Sequence, residues 1–133
     1  MNVLPFYVYD NISGTIIKTG HTLDGLLSNQ ASAQQTAVQG LANDLTQYYD
    51  LINDTLADKI SVPYIVSATT LVADGIDVIN ITGLPTDTVL TVLEESETEA
   101  AGAIDFSVNL IGSYDLLLTH PNHLDTTISV TAT

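Results

Sequence analysis

The chain has 133 residues and a formal net charge of −14, set by sixteen carboxylates against two lysines, Lys18 and Lys59, and no arginine. Nucleic-acid binding needs cations that neutralise phosphates and release counterions, so that class of partner is excluded, and an anionic membrane surface would repel the chain for the same reason. With no cysteine, disulfides, thiolate metal sites and thiol nucleophiles are excluded as well.

The N-terminus lacks the basic region and long apolar run of a secretion signal. Phe6-Tyr7-Val8-Tyr9 is aromatic and β-branched, chemistry that suits a half-buried pleated surface. Asp10 to Gly14 supplies turn residues, Thr15 to Thr19 runs back as a second strand, and Gly20 closes the unit. Residues 6–20 thus read as a β-hairpin. A lone hairpin is marginal in water, so this one must dock on the rest of the chain or on another subunit.

Residues 23–60 carry two competing signals. Leu27, Gln34, Val38, Leu41, Leu45, Tyr48, Ile52 and Leu56 fall at the three- and four-residue spacings of a long amphipathic helix. Gly25 and Gly40, the poor helix formers Tyr48-Tyr49 and the turn pair Asn53-Asp54 argue against it. Periodicity leaves both readings open.

From residue 63 onward the pattern is plainer. The stretch at 60–73 is too short and too rich in Thr and Ser to span a bilayer, and Pro63 interrupts it, so a soluble, anionic protein is expected. Residues 64–73, 78–81 and 88–93 are β-rich, with a loop at 82–87. Ile104, Phe106, Val108 and Leu110 share one parity, as do Tyr114, Leu116 and Leu118, and then Ile128, Val130 and Ala132. About six short strands separated by turns predict an antiparallel sandwich, with Phe106, Tyr114, Leu116 and Ile128 in its core. All four glutamates fall within residues 94–99 and read as part of a solvated loop at 94–102. Tyr114, after the Gly112 turn, is either a tyrosine corner or a core aromatic whose hydroxyl reaches the rim.

Chemistry has little to stand on. His120 and His123 have an H-x-x-H spacing followed by Asp125, but zinc needs three or four converging ligands, and Pro121-Asn122 makes a polar turn. Asp74-Gly75 favours a hairpin turn over a calcium loop, which would repeat its acidic positions and end in Glu. No G-x-S-x-G elbow occurs, and no carboxylate pair is singled out. The expectation is a non-enzyme with no metal and no cofactor.

Tyr9, Gly14, Ile16, Gly20, Gln30-Ala31, Ala37-Val38, Gly40, Tyr49-Asp50, Lys59 and Pro63 occur in an order and spacing that resembles small virion proteins of tailed bacteriophages. The resemblance implies a mainly β chain. Residues 1–62 would form a β-hairpin module with one short helix at 23–31, two strands, and a second hairpin near 48–57 that pairs with the first. Residues 63–133 would form an immunoglobulin-like antiparallel β-sandwich. The implied role is a structural protein of the virion, in the tail, baseplate or tail fibre, assembled in the host cytoplasm. The alternatives are a capsid decoration protein, or a carbohydrate- or receptor-binding module that uses the sandwich loops. Its partners would be other virion proteins. A module of ~60 residues buries only about 60% of its unfolded surface. The face near Tyr7, Val8, Ile16 and Ile17 is therefore the expected partner-binding surface.

Overall fold

The structure is a computed structural model that describes residues 2–133, and the chain is mainly β. It divides into two compact units, the first ending at Lys59 and the second being Ile60–Thr133. The division falls before the Pro63 boundary expected from sequence because Val62 is interior to the second unit. The Val62 N–H donates to the Leu124 carbonyl, and the side chain is almost wholly buried.

The first unit is built on β1 (Val3–Asp10) and β2 (Ile16–Leu23), the hairpin expected at residues 6–20. A third strand, β3 (Gln35–Gln39), pairs antiparallel with β1, giving the order β2-β1-β3. β1 is therefore a central strand. Leu4, Phe6 and Val8 are buried on one face, and Tyr7 and Tyr9 on the other. The second hairpin, β4 (Gln47–Asp50) and β5 (Thr55–Asp58), forms a sheet of its own.

The short helix expected at residues 23–31 forms as a single 3-10 turn, Leu27–Gln30, with no side-chain cap, and Gly25 before it sits at φ +87°. One expectation for this unit is corrected: the second hairpin does not pair with the first. The free edge of β1 is already occupied, because Phe6 to Asp10 face Gln39 to Gln35, and Gly40 N–H extends the contact to the Pro5 carbonyl. Where two strands were expected between the 3-10 turn and that hairpin, β3 is the one that forms.

The second unit is a sandwich of two sheets. β6 (Ile65–Val66), β8 (Ile79–Thr82) and β11 (Ile104–Phe106) form the smaller, in the order β11-β8-β6. The larger joins β7 (Thr70–Leu71), β9 (Val89–Val92), β10 (Glu95–Thr98), β12 (Gly112–His120) and β13 (His123–Ala132) in the order β10-β9-β12-β13-β7. All pairings are antiparallel except β7 with β13. One core holds the sheets together: Ile79, Ile81, Ile104 and Phe106 from the smaller meet Leu90, Leu116, Leu118, Ile128, Val130 and Ala132 from the larger. At ~25 cal/mol per Å² of apolar area, such side chains each contribute about 1.5–3 kcal/mol.

Two further expectations change here. Glu95 and Glu97, expected in a loop, lie in an edge strand, β10, whose four residues are all exposed, while Glu94 and Glu99 flank it. The strand carrying Ile104 and Phe106 ends there, so Leu110 lies outside it and is exposed. Among the described residues no helix is long and apolar enough to cross a membrane.

Candidate interaction surface

The expected contact face is mostly interior. Tyr7, Val8 and Ile16 are buried, and of the four residues only Ile17 is open, at 48% exposure. The correction has a clear cause. β3 converts β1 from an edge into a central strand, and a β-bulge slips the register so that Val8 faces Lys18 while Tyr9 faces Ile16. Ile17 is the extra residue of that bulge. The slip turns Ile16 toward the tyrosine face and leaves Lys18 over the Phe6 ring, 5.8 Å from its centroid.

Tyr7, Tyr9 and Ile16 instead hold the first unit together. Tyr9 stacks on Tyr49 of the second hairpin with ring centroids 3.9 Å apart, and Tyr7 meets the same ring at 6.4 Å. The Tyr49 N–H donates to the Gly14 carbonyl at 2.8 Å. Gly14 is required there twice over. It lies at φ +76°, and a Cβ would fall 2.0 Å from the Tyr49 carbonyl oxygen. The Tyr49 hydroxyl donates to Asp54, and that bond, with burial second, pushes its pKa far above the ordinary 10.0. Burial raises Tyr7, with Tyr9 adding to the shift.

What the first unit does present is a pair of turn tips. Asp10 accepts the N–H groups of Ile12 and Ser13, and Asp50 accepts those of Ile52 and Asn53. Each is an Asx turn in which the aspartate side chain replaces a backbone acceptor. The residue two places on is thereby held outward: Ile12 is 75% exposed and Ile52 95% exposed. A Cβ at Gly14 would touch the Leu51 side chain, so the two turns are neighbours, and Ile12, Leu51 and Ile52 are their exposed apolar residues. Backbone hydrogen bonds hold Asp10 below the ordinary 3.8, the Ser13 N–H foremost, whereas for Asp50 the Asn53 side chain is the main cause. Asp74 repeats the device in the second unit, accepting from Ile76 and Asp77, with Ile76 exposed. The sequence signal was Asp-x-Ile within turn-rich segments, at Asp10, Asp50 and Asp74. It was missed because an exposed isoleucine defies the rule that turns are polar.

His120 and His123 serve the end of the sandwich. His120 Nδ1 accepts the Asn122 N–H, so its Nε2–H donates to the Thr86 carbonyl at 2.8 Å. His123 Nδ1 donates to the Ile60 carbonyl, and the two rings meet edge to face. Burial, then His120, lowers the pKa of His123 against the opposing pull of the Ile60 and Ser61 carbonyls. Glu99 ties the same end, accepting from the N–H groups of Asp87 and Gly102. Among the described residues no three His, Cys, Asp or Glu side chains gather where they could hold a metal.

No protein-family model matches the chain, and no curated protein matches it.

Proposed function

We propose that the chain is a non-enzymatic structural component of a tailed-phage particle, in its tail, baseplate or fibre, that docks on neighbouring virion proteins. The phage assignment rests on the resemblance of residues 9–63. The docking role rests on one observation: two neighbouring Asx turns hold Ile12 and Ile52 out into solvent, with Leu51 beside Ile52, on a unit clasped by aromatic stacking. Contiguous exposed apolar surface on a soluble domain marks an interaction site. The tips replace the buried Tyr7, Val8 and Ile16 as the contact element.

The second unit is read as immunoglobulin-like. Supporting this are the split first strand, whose halves β6 and β7 join opposite sheets, and the strand orders of the two sheets. The Tyr114 hydroxyl also donates to the Leu110 carbonyl four residues upstream, as a tyrosine corner does.

The test is proteomic and genetic. In particles purified from a phage that encodes this chain, it should be present as a stoichiometric component. An Ile12→Asp, Ile52→Asp double variant should fold, with unchanged near-ultraviolet circular dichroism, yet drop out of particles. Absence of the wild-type chain from purified particles overturns the structural role. Incorporation of the double variant at wild-type level overturns the tips as docking element.

A further inference from the structure

The sandwich is open along one side. β10 ends the larger sheet and β11 ends the smaller, and among the described residues no strand pairs with either outer edge. Between them lies a groove of about 490 Å³. Leu90, Val92, Phe106, Val108 and Tyr114 give it an apolar floor, with Phe106 and Tyr114 edge to face at 5.8 Å.

The register of β10 sets the charge of that groove. Glu95 faces Val92 and Glu97 faces Leu90. Directly opposed residues of an antiparallel pair project from the same face, and Leu90 belongs to the core. Both glutamates therefore lean over the inner face of the sheet, toward the groove. Ser96 lies on the other face, its hydroxyl 2.9 Å from that of Thr91.

The β11 side offers main-chain groups. Asn80, in the middle strand, accepts the Ser67 N–H through its carbonyl and donates its own N–H to the Ser67 hydroxyl, so its peptide groups point to the β6 side. By the alternation of an antiparallel ladder, Ile79 and Ile81 then bond across to Phe106 and Ile104. The Asp105 N–H and C=O consequently face the open edge. The groove thus combines an unpaired strand edge, an apolar floor and two carboxylates facing that edge.

We propose that this groove receives an extended basic segment of a partner protein. The segment adds to the β11 edge as a further strand, bonded to the Asp105 peptide groups, in the manner of strand addition to an open sheet. Its inward lysine or arginine side chains lay their aliphatic stems on Val92 and Leu90 and set their charged heads on Glu95 and Glu97. The charges name the occupant. A second copy of this chain brings two lysines in all and a net charge of −14, so it cannot supply the complement. The inference concerns the second unit alone and stands whether or not the chain is a particle component.

The probe is a fluorescein-labelled seven-residue peptide that alternates threonine with lysine, valine and lysine, with the two lysines replaced by glutamate as control. Titrated onto the full-length protein, the lysine peptide should give saturable anisotropy below ~1 mM and the glutamate peptide none. Amide shifts in nitrogen-15 correlation spectra should centre on Asp105 and Ser107. A Glu95→Gln, Glu97→Gln variant should bind roughly tenfold more weakly, since each rim charge pair accounts for a few-fold. A matched Asp24→Asn, Asp125→Asn variant should bind as wild type, which separates the groove from general attraction to an acidic protein. The proposal fails if both variants lose affinity equally, or if the shifts map elsewhere. It also fails if the glutamate-neutralised variant keeps its peptide affinity and instead self-associates. Inward-pointing charges would then be guarding the edge against a second copy.

Discussion

Gly14→Ala tests the clasp between the two hairpins of the first unit, and its effect divides into separable parts. At φ +76° any side chain costs about 1–2 kcal/mol in backbone strain. The added Cβ would lie 2.0 Å from the Tyr49 carbonyl oxygen, a backbone atom that cannot swing aside, so the second hairpin must shift as a whole. That shift breaks the Tyr49 N–H bond to Gly14, worth ~0.5–1.5 kcal/mol, and opens the Tyr9–Tyr49 stack, worth a similar ~0.5–1.5 kcal/mol. The expected loss is about 2–5 kcal/mol, which in a unit of this size lowers Tm by at least ~8 °C. Gly25→Ala is the control. It sits at φ +87° with nothing within 4 Å of its added Cβ, so only the strain of about 1–2 kcal/mol applies. Thermal unfolding followed by near-ultraviolet circular dichroism reports the stacked tyrosines directly. Equal losses in the two variants, with the tyrosine signal kept in Gly14→Ala, would refute the clasp.

Tyr114→Phe should cost ~0.5–1.5 kcal/mol in urea unfolding by removing the bond to the Leu110 carbonyl while keeping the ring against Phe106; no change would mean that the hydroxyl is equally well served by water. Asp10, Asp50 and Asp74 titrate below the ordinary 3.8 when folded, so their contribution is present above that value and is lost as pH falls through their folded pKa values. Asp10→Asn with Asp50→Asn keeps an acceptor oxygen at each turn but cannot titrate, and the double variant should lose less stability in acid than wild type. His123 is lowered from 6.5 by burial, so its contribution is complete above that value and falls as pH drops below it; between about pH 7.5 and 5.5 wild type should lose more stability than His123→Gln, and equal losses would refute the assignment.

The readable parts of the fold were those in which side-chain alternation and burial coincide. Ile79 with Ile81 and Ile104 with Phe106 flank a polar residue, Asn80 and Asp105, and Leu116 with Leu118 share the parity of Tyr114; each pair is buried as that parity requires. The two hairpins were legible from turn chemistry. β3 was implied by the resemblance alone, because Gln35-Thr36-Ala37-Val38-Gln39 has no apolar alternation, and its pairing with the edge of β1 left no mark in the sequence. That unforeseen pairing carried the docking surface with it, since Tyr7 and Val8 look exposed only while β1 is taken for an edge. β10 was hidden differently. Four glutamates repel one another and suggest a loop, yet an edge strand leaves Glu95 and Glu97 exposed and still completes a ladder with β9.

The way β13 is held has a mechanical consequence. Residues 60–62 meet Leu124 at one end of that strand, and Thr133 lies past its other end, after ten strand residues or ~33 Å. There β7 runs parallel to β13. Thr131 N–H bonds to the Thr69 carbonyl, Thr133 N–H to that of Leu71, and Ala73 N–H to that of Thr133. A pull applied between Val62 and Thr133 drags β7 and β13 in opposite directions along their common axis. Those three bonds then lie across the load and must yield together, whereas a hairpin peeled from its end gives way one bond at a time. The second unit is therefore built to resist tension along the chain, and the step that withstands the most force should be the release of β7 from β13, after Val62 and β6 have been peeled away.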